Sequence, residues 1–87
     1  MEEPKQADIW WANLPEPLGR RPVLVLTRNA AIPVRTNVSV ALLTRTIRGI
    51  DSEVELGVRH GVKTRCAVSL DNIVTIPKPM LDRRMTA

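Results

Sequence analysis

The apolar stretch Pro22-Val23-Leu24-Val25-Leu26 is long enough for a strand and too short for a buried helix. It has no polar alternation, as expected of a strand covered on both faces, so its place is the centre of a sheet. The rest of the 87-residue chain points the same way: Val, Ile and Thr together number 23, and amphipathic helical periodicity of helix length is hard to find. A first strand is expected over residues 7–14, ended by Pro15 and Pro17, and a second over 22–27. Residues 29–36 contain Pro33 and read as a loop with at most one helical turn. Val38, Val40 and Leu42 alternate with polar or small residues in a third strand, and Gly49 closes that unit. Val54, Leu56 and Val58 alternate in a fourth, and Gly61 marks a hairpin turn before residues 64–70. Residues 73–76 form a last short strand stopped by Pro77 and Pro79, and residues 80–87 read as the first turn of a helix. Repeats and internal linkers are not evident, so residues 1–87 are expected to form a single domain.

A chain of this size buries only about 60 to 65% of its unfolded surface. Phe and Tyr are absent, so the two tryptophans supply all aromatic burial, and pairing with a second copy would add buried apolar area. Cys66 is the single cysteine and His60 the single histidine, which excludes an internal disulfide and a multi-ligand Cys/His zinc site within one chain. The apolar runs fall far short of the roughly 18 residues that cross a bilayer, and no signal-peptide pattern opens the chain. The expectation is a soluble, cytoplasmic protein.

Charge is unevenly spread. The chain carries 13 Lys+Arg against 9 Asp+Glu, a formal +4. Between residues 17 and 50 lie Arg20, Arg21, Arg28, Arg35, Arg45 and Arg48 without one Asp or Glu, while acids flank that block on both sides. Any one arginine can be a solvated surface residue, but a block of six without an acid is a footprint for a polyanion. Arginine outnumbers lysine 10 to 3, and its planar fork fits phosphate oxygens and stacks on bases. Nucleic acid or a strongly acidic peptide is the leading partner class.

Few residues offer conventional catalytic chemistry. His60, between Arg59 and Gly61, reads as a solvated turn histidine, and Cys66 as a small buried hydrophobe at the start of a strand. No nucleophile elbow, phosphate-binding glycine loop or paired-carboxylate motif is present. An enzyme built on this chain must work through arginine, threonine, serine or a lone acid.

Four blocks, Asp8-Ile-Trp-Trp-Ala-Asn-Leu-Pro15, Gly19-Arg-Arg-Pro-Val-Leu-Val-Leu26, Ala41-Leu-Leu-Thr-Arg-Thr-Ile-Arg-Gly49 and Val68-Ser-Leu-Asp-Asn-Ile-Val-Thr-Ile76, resemble the successive blocks of MazF/PemK-type toxins. The resemblance runs in the right order from about residue 7 to residue 81. It implies a mainly β fold, a small SH3-like barrel of the CcdB/PemK type with short helical turns and a truncated or short C-terminal helix. It also implies a homodimeric endoribonuclease of a type II toxin–antitoxin module that cuts single-stranded mRNA without a metal or other cofactor. The RNA's own 2′-hydroxyl would be the nucleophile, leaving a 2′,3′-cyclic phosphate and a 5′-hydroxyl.

The residues matching the family's catalytic positions are Arg21, just before Pro-Val-Leu-Val, and Thr44. An arginine stays protonated, so its part is to neutralise the charge that builds on a pentacoordinate phosphorane. A threonine hydroxyl can hold the scissile phosphate or orient the 2′-hydroxyl. Arg20, Arg45 and Arg48 are the expected phosphate contacts. Trp10 and Trp11 fall on opposite faces of the first strand, one toward the core and one available for base stacking or a dimer surface, and Trp10 is taken as the RNA-facing ring. Asp71 is included on the RNA side, with loop organisation as its first role and general-base work as its second.

Structural accounts stand beside these. Arg21 could simply flank a central strand, and Thr44 could be an ordinary β-branched strand terminus. The link from Pro15 to Arg21 is shorter than the mobile loop of many relatives, which bears on gating and cut sequence. The implied regulator is an antitoxin whose acidic, extended segment lies along the basic groove and displaces RNA. Two other classes remain open: a non-catalytic gyrase poison resembling CcdB, and a plain SH3-like RNA-binding module.

Overall fold

The computed structural model describes residues 3–57, 59, 61–62 and 64–86, with Thr86 described by its backbone alone. Met1, Glu2, Val58, His60, Lys63 and Ala87 lie outside the described residues, so the turn assignment of His60 and the alternation expected at Val58 have no counterpart below. Among the described residues six strands form one antiparallel sheet: β1 Ile9–Asn13, β2 Arg20–Val25, β3 Asn37–Thr44, β4 Glu53–Leu56, β5 Cys66–Pro77 and β6 Leu81–Thr86. Their spatial order is β4-β5-β3-β2-β1-β6.

The unbroken apolar run is in the middle of this sheet, β2 lying between β3 and β1, and both faces of it are covered. Val23 and Val25 point into a first core with Trp10, Ala12, Leu14, Ile32, Val38, Val40 and Leu42. Leu24 and Leu26 pack on the opposite face against Ile9, Ala41, Leu43, Val62, Cys66 and Val68. Strand alternation thus feeds two clusters from the same strands, which is why β2 needs apolar side chains at consecutive positions. The loop at 29–36 contains one 3-10 turn, Ile32–Val34, whose Ile32 plugs the first core.

Two expectations are corrected. The strands expected at 64–70 and 73–76 are one strand, β5, which follows β3 along its length. Its partner on β3 steps from Ile73 opposite Ala41 to Ser69 opposite Leu42, so residues 70–72 bulge out and the strand bends without ending. Of the described residues in the segment read as a helical turn at 80–87, only Met80 is helical, closing a 3-10 turn at Lys78–Met80; Leu81–Thr86 is strand β6, paired antiparallel with β1 through Trp10 and Arg84, Trp11 and Arg83, and Ala12 and Leu81. A lone helical turn gains one hydrogen bond for several fixed dihedrals, whereas the open edge of β1 offers a ladder already in place. A register shift between Trp11 and Ala12 reverses the alternation within β6. Leu81 therefore packs in the first core and Met85 against the second, a split that the four-residue spacing of the two does not reveal. Among the described residues no helix is long and apolar enough to cross a membrane.

Candidate active site

The antiparallel ladders bring the start of β2, the end of β3 and the start of β5 to one end of the sheet. Val23 at the near end of the β2–β3 ladder lies opposite Leu42, two residues from Arg21 on one strand and from Thr44 on the other. Arg21 and Thr44 line one cavity of about 830 Å³. Trp11 of β1, Arg83, Arg84 and Met85 of β6, Cys66 of β5 and, from the segments between strands, Leu18, Gly61, Val62 and Thr64 also line it. The arginines at the cavity are Arg20, Arg21, Arg45, Arg83 and Arg84, and none of the described lining residues is acidic. Such a hollow concentrates positive potential and attracts a polyanion ahead of any specific contact.

The individual side chains are held differently. Arg21 is half-buried and has no hydrogen bond or ion pair to a described residue. Thr44 Oγ1 accepts the Thr46 N–H at 3.1 Å, which fixes the rotor and leaves the hydroxyl proton to be donated into the cavity. Arg20 is tied down: its Nη1 donates to Asp82 Oδ2 and to Asn13 Oδ1, and its guanidinium lies 5.3 Å from the centre of the Trp11 ring. Cys66 is buried in the wall, and burial pushes its thiol up, partly countered by the charge of Arg45. The thiol therefore stays protonated at neutral pH. Alkylation by iodoacetamide at pH 7.4 is expected to run at least about tenfold slower than for a free cysteine; an equal rate would show the wall to be open.

The structure separates the expected site residues. Arg20, Arg21, Thr44 and Arg45 meet at the cavity. Arg48 does not; its Nε pairs with Glu53 Oε2 at 3.2 Å, outside the lining. Arg28 and Arg35 line a separate hollow near the other end of β3. Asp71 is within the β5 bulge, where Ser52 Oγ donates to its Oδ2 at 2.6 Å, so it organises the approach to β4 and does not border the cavity. Trp10 is corrected outright: it is only 3% exposed, its Nε1 donates to Asp8 Oδ2 at 3.3 Å, and the tryptophan at the cavity is Trp11. Trp10 shares its face with Ala12, Leu14 and the first core, so no base could reach its ring.

Sequence reasoning missed Trp11 as the cavity ring, and Arg83 and Arg84 altogether. The adjacent basic pair was a visible signal, but only the pairing of β6 with β1 carries it to the site. Among the described residues no group of three or more His, Cys, Asp or Glu is placed to hold a metal ion. Glu53 is also outside the cavity, yet it governs the loop that enters it. Its Oε1 accepts the N–H groups of Arg48 at 2.8 Å and Gly49 at 3.2 Å. The Arg48 N–H, with the Arg48 guanidinium and the Gly49 N–H, holds this carboxyl below its ordinary value near 4.5 against the opposing effect of burial. A depressed carboxylate stabilises the fold above its unfolded pKa, and that contribution disappears as the pH falls through the lower folded value.

Comparison with known proteins gives a consistent picture. Residues 5–87 match the profile of the family described as PemK-like, MazF-like toxin of type II toxin-antitoxin system. The chain is 41% identical over 83 residues to the probable endoribonuclease MazF5 of Mycobacterium tuberculosis, spanning 94% of this chain and 75% of that protein. It is 43% identical over 83 residues to the probable endoribonuclease MazF2 of the same species, spanning 94% and 79%. Among solved structures, the M. tuberculosis toxin MazF-mt6 superposes with a TM-score of 0.84 at 40% identity, covering 92% of this chain and 78% of that one. A mycobacterial endoribonuclease in complex with its cognate antitoxin superposes at 0.82 with 27% identity, covering 94% and 76%.

Proposed function

Because this chain belongs to the PemK-like, MazF-like toxins of type II toxin–antitoxin systems, we propose that it is a toxin endoribonuclease cutting single-stranded RNA in the arginine-lined cavity. The observation that carries the reading is that Arg21 and Thr44 line one hollow whose described lining holds no acid.

A ribose 2′-hydroxyl attacks the adjacent phosphorus, giving up its proton as the O2′–P bond forms. The phosphorane then expels the 5′-oxygen, which takes up a proton as the P–O5′ bond breaks. Charge grows on the non-bridging oxygens during this step. The Arg21 guanidinium, with no ion pair to a described acid, is disposed to neutralise that charge through two parallel N–H donors. The Thr44 hydroxyl, its oxygen already engaged by the Thr46 N–H, donates to a phosphate oxygen and orients the reacting group. Arg45, Arg83 and Arg84 neutralise flanking phosphates, and Trp11, with Arg20 against its ring, offers an aromatic face to a base. The products are a 2′,3′-cyclic phosphate and a 5′-hydroxyl, and the charge is met by guanidinium groups with no metal ion required.

The same cavity suits an acidic, extended antitoxin segment, which would displace RNA by occupying its phosphate contacts. A single domain over residues 1–87 working as a cytoplasmic homodimer is part of this reading. Exposed Val54, Leu70 and Ile73 on β4 and β5 are apolar surface that a second copy would cover.

Incubation of the purified protein with a long single-stranded RNA in EDTA tests the reading. Cleavage is expected, with 5′ ends that a polynucleotide kinase labels directly and 3′ ends that block ligation until the cyclic phosphate is opened. Intact RNA with a folded dimer, or DNA breaks accumulating on gyrase, would overturn it.

A further inference from the structure

The loop between Thr44 and β4 is closed by a side chain that the reaction scheme does not use. Glu53 opens β4, pairs with Ser69 of β5 and turns its carboxylate back into the loop. One carboxylate oxygen gathers two consecutive main-chain N–H groups, those of Arg48 and Gly49, and the other takes the Arg48 Nε–H. The Glu53 side chain is itself 1% exposed, covered by the turn it holds, while its partner Arg48 stands at the surface. Gly49 adopts the left-handed conformation, φ +69°, which aims successive N–H groups at one anion. The Glu53 N–H also donates to Ile50 O at 3.0 Å, so both ends of the turn are secured to one residue.

The clamp reaches the cavity through a short path. Residues 45 and 46 lie between the clamped turn and the strand end, and both line the cavity. Thr46 donates its N–H to Thr44 Oγ1, the contact that fixes the hydroxyl rotor. Holding residues 48 and 49 therefore fixes where the Thr46 N–H points, and with it the direction of the Thr44 hydroxyl. The same clamp keeps the Arg48 guanidinium on Glu53 and away from the phosphate path.

We propose that Glu53 is a positioning residue that orients the Thr44 hydroxyl through the loop 45–52, a role that rests on the nuclease reading above. It touches neither RNA nor the reacting atoms. Its contribution is the geometry of the hydroxyl, and a displacement of the order of an ångström at a reacting centre costs about a hundredfold in rate.

A double-mutant cycle with hydrogen exchange tests this. Glu53→Ala is expected to lower single-turnover RNA cleavage by about ten- to a hundredfold. Glu53→Gln, whose amide oxygen can still accept both main-chain N–H groups, recovers most of that loss. In the Thr44→Ala background Glu53→Ala adds little, because the group it positions is gone. Amide exchange, read without RNA, shows Thr46, Arg48 and Gly49 protected in the unmodified protein and exposed together in Glu53→Ala. Equal losses from Glu53→Ala with and without Thr44 would overturn the proposal, as would a Thr46 amide whose protection is unchanged by Glu53→Ala. If that substitution unfolds the chain, the exchange and cleavage of Glu53→Gln decide: exposed Thr46, Arg48 and Gly49 amides with full activity count against it. An unmodified protein that leaves RNA intact while these amides respond as expected removes the nuclease reading and leaves the clamp standing.

Discussion

Replacing Arg21 by alanine lowers RNA cleavage by about a thousandfold while the chain stays folded, the scale expected when a guanidinium at a developing phosphorane charge is removed. The Arg21 side chain can be lost without a structural penalty because it is only partly buried and makes no hydrogen bond or ion pair to a described residue. Arg21→Lys keeps one positive charge but not the fork, so it restores only part of the rate. Thr44→Ala falls less, by about ten- to a hundredfold, since it removes one donor and leaves the arginines in place. Single-turnover cleavage of an end-labelled oligonucleotide, with thermal melting of each variant, measures these effects. Arg21→Ala protein that melts normally and cuts within a few-fold of the original would place the catalytic charge elsewhere, with Arg45, Arg83 and Arg84 next in line.

Trp10→Ala is expected to cost about 3–5 kcal/mol, the largest stability loss of any single side chain here. The ring is 3% exposed at the heart of the first core, and its loss also leaves Asp8 Oδ2 with the Lys5 N–H as its remaining partner. For a small domain near the lower end of the usual range of about 5–15 kcal/mol, this removes more than half of the total stability. Trp11→Ala, one residue along, behaves in the opposite way. Trp11 is partly exposed and stacks on Arg20, so its removal weakens RNA binding and leaves melting nearly unchanged. Chemical denaturation and RNA affinity of the two variants separate the roles, and a Trp10→Ala protein that melts like the original would contradict the assignment of this ring to the core.

The contrast between these neighbours shows how far the residues alone could be read. Alternation says that Trp10 and Trp11 face opposite ways, but both directions lead to apolar company: Ala12 and Leu14 on one side, Ile9 on the other. Which side is sealed depends on Ile32, Val38 and Val40, contributed by segments far along the chain. Arg48 shows the same gap. A run without acids makes it look available, yet Glu53, just past that run, folds back and takes it. Asp71 lies among residues that resemble a family block, and only the bulge reveals that it serves Ser52.

β2 reads correctly from its own residues because two-sided burial leaves a local mark: five apolar residues in a row have no polar side to turn to water. The acid-free basic stretch is equally local, and the blocks that contain Arg21 and Thr44 mark those two residues. β6 carries no such mark. Leu81 and Met85 recur at a helical spacing, and their strand geometry comes from an edge of β1 some 70 residues earlier in the chain. Composition and alternation report each residue's immediate surroundings, which is enough for strand identity and net charge. The convergence of Arg21, Thr44, Arg83 and Arg84 on one cavity is a matter of register between strands remote in sequence, and register is set by hydrogen bonds that exist only in the assembled sheet.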